Sequence, residues 1–464
     1  MLNKFNSYIV PLWISSRVYE CRVDGEEVCR TYILNSKTHE YWSFEDNAAK
    51  LWSFVLNNDF EGLVGYAKEN DLYDELDLFF EELNNMGVIS CKDDCDNNSK
   101  DSITYEKMPY DNSDNDKLTK FIEDMSDWQY KNGFLSSLLI ELTYKCNLKC
   151  IHCFNDKNKQ DKEVSFEEIK PIIDDAIKLG IFSITLSGGE CTIAKDFIKI
   201  ARYIKENHIS LNVFTNGQFL YDNLSILEEL ISIYPSTIHI SLYSMDEEIH
   251  DKITGVKGSY KKTISIINSL VERNFPVIIK CFLTKYNIDS PSKLNVFAKE
   301  LGVSLTFDMT LLPNNDKSNK AVGVEFSQIC DLYQNKYTLF YRNVPKFEKN
   351  KAINLNSIMC KGGHYFLCVD PSLDLYPCAS LKEKMGSLKN TSLIDICHNE
   401  DTKLSKFRSL RLSDLKECYT EEYCKYCSYC MGIVTADNAF LKKSEICCSH
   451  AKAQMEIFEK NISE

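Results

Sequence analysis

Apolar positions recur in two rhythms along this chain, and the switches between them mark four regions. In residues 1–90, alternation with a period of two predicts strands at 17–22, 31–35 and 40–44. Spacing of three and four then predicts helices at 46–56, 60–70 and 73–86, with Gly87 as a stop. Three strands and three helices in so short a stretch make a winged-helix-like module. Residues 91–134 lose the rhythm. Between 91 and 131 there are eleven Asp or Glu against six Lys, and the segment reads as an acidic linker that cannot bury enough apolar surface to order itself alone. Residues 135–345 alternate strand and helix. Strands are predicted at 138–143, 181–187, 211–215, 238–242, 277–284 and 304–308, with helices such as 166–179, 194–207 and 260–273 between them. Six such units imply an all-parallel α/β sheet with right-handed crossovers. Residues 346–464 are irregular, rich in cysteine and free of any repeat of solenoid period.

Composition narrows the class. Of 464 residues, 44% are hydrophobic and 26% charged, as in a soluble globular protein. A net charge of −14 argues against a general nucleic-acid binder, so no nucleic-acid partner is expected. No run is long enough to span a bilayer. Residues 7–14 are apolar but short, are broken by Pro11 and lack a small-residue cleavage site, so no secretory signal is expected. A cytoplasmic protein follows. In that compartment the 20 cysteines point to metals rather than disulfides.

Three of those cysteines carry the chemistry. Cys146, Cys150 and Cys153 stand in Cys-Asn-Leu-Lys-Cys-Ile-His-Cys, just after the first strand of the α/β region. Three thiolates on one loop can hold three irons of a cubane cluster and leave the fourth open to a ligand. A structural zinc would normally need a fourth nearby Cys or His, and His152 sits between two of the cysteines, poorly placed to share their metal. The motif resembles that of the radical S-adenosylmethionine (radical SAM) enzymes. That resemblance implies a partial (β/α)6 barrel whose site lies at the carboxyl ends of the strands. It also implies a 4Fe–4S cluster on Cys146, Cys150 and Cys153, with S-adenosylmethionine chelating the open iron.

Ser187-Gly188-Gly189-Glu190 follows the second barrel strand and resembles the Gly-Gly-Glu motif of the same family. There the glycines allow backbone to approach the methionine part of S-adenosylmethionine, and Glu190 would accept from its ammonium group. Cys191 takes the place where family members often carry Pro. Thr215-Asn216-Gly217 closes the third strand and Ser241 the fourth. By resemblance, Asn216 and Ser241 would contact the cofactor's ribose and carboxylate, although a turn with local hydrogen bonds explains them equally simply. Asp308 ends the sixth strand, where it could act as a base, anchor substrate or cap the next segment.

The runs Cys-Lys-Gly-Gly, Leu-Tyr-Pro-Cys and Cys-Ser-Tyr-Cys-Met-Gly in the last region resemble the SPASM extension of radical SAM enzymes, which binds two auxiliary 4Fe–4S clusters. The resemblance assigns Cys360, Cys368, Cys378 and Cys430 to the first. It assigns Cys418, one or two of Cys424 and Cys427, and Cys447 or Cys448 to the second. The family's Cys-x2-Cys-x5-Cys is broken here, because Glu421 occupies one thiolate position. Zinc remains an alternative for Cys-x2-Cys-x2-Cys. Cys21, Cys29, Cys91, Cys95, Cys281, Cys330 and Cys397 read as structural.

The N-terminal module resembles the leader-peptide recognition element of ribosomal-peptide biosynthesis, the fold of the pyrroloquinoline-quinone peptide chaperone. Tyr32-Ile33-Leu34-Asn35, Tyr41-Trp42-Ser43-Phe44 and Ala48-Ala49-Lys50-Leu51-Trp52 carry the likeness. It implies that a leader adds as a strand between residues 40–44 and the helix at 73–86. Asp74, Glu75, Asp77, Glu81 and Glu82 on that helix disfavour DNA and favour a basic leader. The third SPASM cysteine, Cys378, is followed by Ala379 where the sulfatase-maturing branch has an acidic residue, which argues against that branch. The expectation is a maturase that uses the 5′-deoxyadenosyl radical on a precursor peptide, with a reduced flavodoxin or ferredoxin as electron donor. A thioether from a peptide cysteine is the expected bond; carbon–carbon cross-linking and epimerisation are rivals. A non-catalytic iron–sulfur or zinc peptide-binding protein is the alternative of another class, and the intact triad with Gly188, Gly189 and Glu190 weighs against it.

Overall fold

The computed structural model describes residues 7–91, 112–155, 161–309, 311–312, 314, 318–325, 328, 353–415, 417–427, 429–436 and 440–461. Cys95 and Cys330 lie outside them. Near the N-terminus, β1 (Tyr8–Ile9) pairs with β5 (Ser90–Cys91). Between these come β2 (Ile14–Val23), β3 (Glu26–Asn35) and β4 (Tyr41–Glu45), an antiparallel sheet in that order. The hairpin β2–β3 turns at Asp24 and Gly25, both with positive φ, which matches the twist of the strands. Helices α1 (Asp46–Leu56), α2 (Phe60–Glu69) and α3 (Leu76–Asn85) follow. Ile14, Ile33, Trp52, Leu63 and Phe80 form their common core. Inside it the Trp52 indole donates to Ser16 Oγ at 2.9 Å, so no buried donor is wasted.

The acidic linker expected over 91–134 holds a helix, α4 (Asn112–Lys131). Phe121, Met125 and Trp128, spaced four and three apart, pack on Tyr19 and Tyr32, on the face of the sheet opposite Trp52. Glu123, Asp124 and Asp127 are exposed, with Asp127 accepting from Tyr365 Oη at 2.9 Å. Averaging charge over the whole segment concealed this apolar stripe, whose period is the helical one.

The α/β region forms as expected. Strands β6 (Ser137–Thr143), β7 (Ser183–Gly188), β8 (Ser210–Thr215), β9 (Thr237–Ser241), β10 (Val277–Phe282) and β11 (Ser304–Asp308) lie parallel and in sequence order. Helices α5 (Phe166–Lys178), opened by a Ser165–Glu168 capping box, and α6 (Phe197–Glu206) are among those packed on the outer face. Leu211, Val213, Ile238, Ile240, Ile279 and Cys281 face these helices and are buried. The alternate positions Phe214, His239, Ser241, Lys280, Phe282 and Asp308 face the concave side.

The cysteine-rich region is less irregular than its sequence implies. β12 (Phe366–Val369) adds to β6 in parallel, and β13 (Asp374–Tyr376) and β14 (Gly386–Ser387) continue antiparallel, giving one sheet of nine strands. Strands of two to four residues carry too little alternation to be read. The last region is therefore joined to the first barrel strand by backbone hydrogen bonds. No described helix is long and apolar enough to cross a membrane.

The N-terminal sheet docks beneath the barrel. Ser16 N–H donates to His208 O at 2.8 Å, Arg17 Nε to Ile181 O at 3.2 Å and Tyr19 Oη to Gly180 O at 2.9 Å. These acceptors lie just before β7 and β8, so the carboxyl ends of the strands stay clear of the module. Lys205 is fully buried in this seam, with its ammonium on Ser15 Oγ at 2.9 Å. Burial pushes its pKa down to about 7. The unfolded chain keeps this proton up to the ordinary lysine range, so the group costs stability below pH 7 and the cost disappears as pH rises toward 10. Lys205→Met is expected to stabilise the protein by ~1–4 kcal/mol near pH 7. The gain in melting temperature over the parent should shrink between pH 7 and pH 10; a constant gain would show that the charge is not its source.

Candidate active site and cysteine clusters

The loop bearing Cys146, Cys150 and Cys153 leaves the end of β6 and is fixed by backbone. Lys149 N–H donates to Thr254 O at 2.8 Å and Ile151 N–H to Ile253 O at 2.9 Å, at the end of α7 (Glu247–Thr254). Asn319 Nδ2 reaches the carbonyls of His152 and Cys153, each at 3.3 Å. Leu148 N–H points at Cys146 Sγ at 3.4 Å, a donor that favours thiolate. Burial raises the Cys150 thiol, and the neighbouring Cys146 and Cys153 raise it further. The His152 ring stacks on Phe282 with centroids 4.8 Å apart and meets Tyr243 edge-on at 4.9 Å. Burial drives its pKa down to about 4. It is a neutral aromatic wedge under the loop.

Gly188 and Gly189 lie flat against this loop. Gly189 N–H donates to Thr143 O at 2.7 Å and Glu190 N–H to Lys145 O at 2.9 Å. Gly188 has φ +134°, and a Cβ there would stand 2.3 Å from Thr143 O; one on Gly189 would stand 2.3 Å from Lys145 O. The sequence reading gave these glycines to an approaching cofactor; the structure adds contact with the chain that enters the cysteine loop.

Glu190 differs from its expectation in a similar way. It is buried, and its carboxylate accepts from Thr192 Oγ1 at 2.6 Å, Thr215 Oγ1 at 2.7 Å, Asn216 N–H at 2.7 Å and Thr192 N–H at 3.2 Å. Burial raises its pKa and these donors oppose the rise. Glu190 thus ties the end of β7 to the end of β8 and aims Asn216. Asn216 Nδ2 donates to Asn147 Oδ1 at 2.8 Å and lies 3.8 Å from Cys146 Sγ. Ser241 is half-buried at the end of β9, in register with Lys280. Asp308 ends β11 opposite Phe282 and is exposed. The Cys191 thiol donates to Phe214 O at 3.3 Å inside the core and takes no part in the site. Sequence reasoning missed Asn147 and Asn319. Asn147 lies inside the motif and could have been singled out; Asn319 comes from a segment with no motif at all.

This donor set suits a cubane cluster. Among the described residues no three Cys, His, Asp or Glu side chains converge as they would on a single ion. A cubane takes each thiolate on a different corner and needs no such convergence.

The later cysteines fall into two groups. Cys360, Cys378 and Cys430 lie close enough to interact electrostatically, as do Cys368 and Cys378. Gly362 N–H points at Cys360 Sγ and Leu381 N–H at Cys378 Sγ, both at 3.3 Å. Cys418, Cys424, Cys427, Cys447 and Cys448 line one cavity together with Tyr419, Tyr423 and Tyr429. Both members of each doubtful pair, Cys424 with Cys427 and Cys447 with Cys448, reach it, and Glu421 does not line it.

One ion pair, buried at its Glu141 end and exposed at its Lys382 end, joins the first group to the barrel. Glu141 of β6 accepts from Tyr144 Oη at 2.8 Å, and Lys382 Nζ stands 3.4 Å from it. The Lys382 ammonium lies 5.5 Å from the ring centroid of Tyr376, the partner of Cys368 across β12 and β13. Burial lowers its pKa, but Glu141 and Cys368 outweigh that, so it stays charged.

This sheet and its cysteine loop define a radical SAM fold, and residues 140–294 match the Radical SAM superfamily model. The chain is a radical SAM enzyme, of the superfamily that uses a 4Fe–4S cluster and S-adenosylmethionine. It is 26% identical over 335 residues to the AdoMet-dependent heme synthase of Methanosarcina barkeri, covering 66% of this chain and 94% of that protein. It is 28% identical over 181 residues to the mycofactocin maturase MftC of Mycolicibacterium smegmatis, covering 38% of this chain and 45% of that one, less than half its length. Streptococcus suis SuiB, solved bound to precursor peptide SuiA, shares the fold with a TM-score of 0.58 at 15% identity, over 95% of this chain and 99% of SuiB.

Proposed function

We propose that the protein is a maturase that modifies a ribosomally made precursor peptide, with a thioether from a peptide cysteine as the bond formed. The observation that carries the catalytic half is the contact of Asn216 with Asn147 beside Cys146, which seats the end of β8 on the cysteine loop. When bound, the cluster and S-adenosylmethionine supply a 5′-deoxyadenosyl radical able to take hydrogen from an unactivated carbon. The chain's own part is positioning. Gly188 and Gly189 set the loop against β7, Glu190 aims Asn216, and His152 wedges the loop over Phe282. The likeness to SuiB, solved with a precursor peptide bound, supports a peptide substrate, and the two further cysteine groups support a SPASM domain with two auxiliary clusters.

Residues 1–90 are proposed to recognise the leader. Among the described residues β4 pairs only with β3, so its outer edge can accept a strand. Asp77→Lys with Glu81→Lys on α3 is expected to weaken leader binding about 10-fold, more at low salt. Titration of labelled precursor peptide into the full chain measures it; unchanged affinity would remove this helix from the leader site.

The function itself is tested on anaerobically reconstituted protein. Release of 5′-deoxyadenosine with S-adenosylmethionine and dithionite is expected, followed by loss of two hydrogens from a cysteine-bearing precursor. Loss of two hydrogens with the cysteine still free to alkylate indicates a carbon–carbon link instead, and an unchanged mass in ordinary water with deuterium gained in heavy water indicates epimerisation.

A further inference from the structure

The structure assigns to the Lys382–Glu141 pair the setting of the reduction potential of a cluster held by Cys360, Cys368, Cys378 and Cys430, and thereby its competence to accept an electron from the substrate side. The inference rests on the proposed first auxiliary cluster. A cubane with four thiolates is anionic and gains one more negative charge on reduction, so a fixed cation beside it favours the reduced state and a fixed anion disfavours it. Lys382 is the cation. It follows Leu381, whose N–H points at Cys378 Sγ, and its ammonium lies 5.5 Å from the Tyr376 ring, opposite Cys368. Glu141 is the anion. It is 3% exposed, 3.4 Å from Lys382, and two residues beyond Leu139, which pairs with Cys368.

The pair also touches the other site. Glu141 holds the hydroxyl of Tyr144, and Tyr144 lies two residues before Cys146. A neutral hydrogen-bonding pair would knit β6 to the last region as well as this one does. Burying the Glu141 carboxylate beside cluster thiolates costs desolvation that structure alone does not require, while Lys382 reaches it from the surface. Their common effect is electrostatic: Lys382 raises the potential of the neighbouring cluster and Glu141 moderates the rise.

The test is a redox titration followed by electron paramagnetic resonance on the anaerobically reconstituted full chain. Lys382→Met is expected to move the midpoint of one cluster to more negative potential and Glu141→Gln to more positive potential, with the double variant returning toward the parent. Opposite signs are beyond a merely structural role, which would move both variants alike or neither. Shifts of the same sign, or none, overturn the assignment, and the double variant keeps this decision open if one single variant folds poorly. About four irons per chain with a single reduction wave would overturn it by removing the auxiliary cluster itself, and the iron count tells that failure from the first.

Discussion

Cys150→Ser is expected to eliminate 5′-deoxyadenosine release, a fall of at least about 10³-fold, which is more than 4 kcal/mol of lost barrier reduction. Cys150 is the middle ligand proposed for the loop cluster and is less exposed than Cys146. Its thiol is raised by burial and by the neighbouring Cys146 and Cys153. Serine keeps the size but offers a hard, weakly acidic oxygen to a site built for soft thiolate. The loop itself should persist, because its backbone bonds run from Lys149 and Ile151 to Thr254 and Ile253 and do not use the thiol. Iron should therefore fall by about four per chain while the cysteine-rich region keeps its own. Iron and sulfide analysis beside the deoxyadenosine assay checks both halves. Full iron with full cleavage would displace Cys150 from the cluster and the loop from the centre of the reading.

Much of this was legible in the sequence, for reasons that vary along the chain. The barrel strands are long enough for alternation to show, and four of the six end on a polar residue, so the order from β6 to β11 could be written down from residues 138 to 308. Strands β12, β13 and β14 could not, since β12 forms by pairing with β6 more than two hundred residues away and the very short β13 and β14 build on it. Helix α4 was hidden by its composition: Phe121, Met125 and Trp128 are diluted by acids that occupy the opposite face. The cysteine triad was visible as spacing, but the partners that seat it were not. Thr254, Asn319 and Phe282 arrive from three separate segments, and nothing local marks them. Glu190 was found by motif and its use was only half foreseen. Its four donors come from Thr192, Thr215 and Asn216, so in this chain it braces the site it was expected to line.

Gly189→Ala is expected to uncouple cofactor binding from cluster assembly. The added Cβ would meet Lys145 O at 2.3 Å and Tyr144 O at 2.7 Å, both backbone atoms that cannot swing aside. Gly189 does not share the positive φ of Gly188, so alanine is strained here by space alone. Relief requires the turn after β7 to part from the chain entering the cysteine loop. That stretches the bond from Glu190 N–H to Lys145 O and, through the Glu190 carboxylate, turns Asn216 away from Asn147. The cost is that of overpacking, about 1–3 kcal/mol, and it should appear as a lower melting temperature. Affinity for S-adenosylmethionine should fall about 10-fold or more, because the displaced groups are those that frame its proposed seat. Iron should stay near the parent level, since the cysteine loop keeps its own backbone bonds to Ile253 and Thr254. Calorimetric titration of S-adenosylmethionine with iron analysis on the same sample separates the effects. Unchanged affinity would mean that the Gly-Gly contact is a packing device only; loss of iron would mean that the turn after β7 holds the cluster loop itself, and Gly189 would then belong to cluster assembly rather than to the cofactor seat.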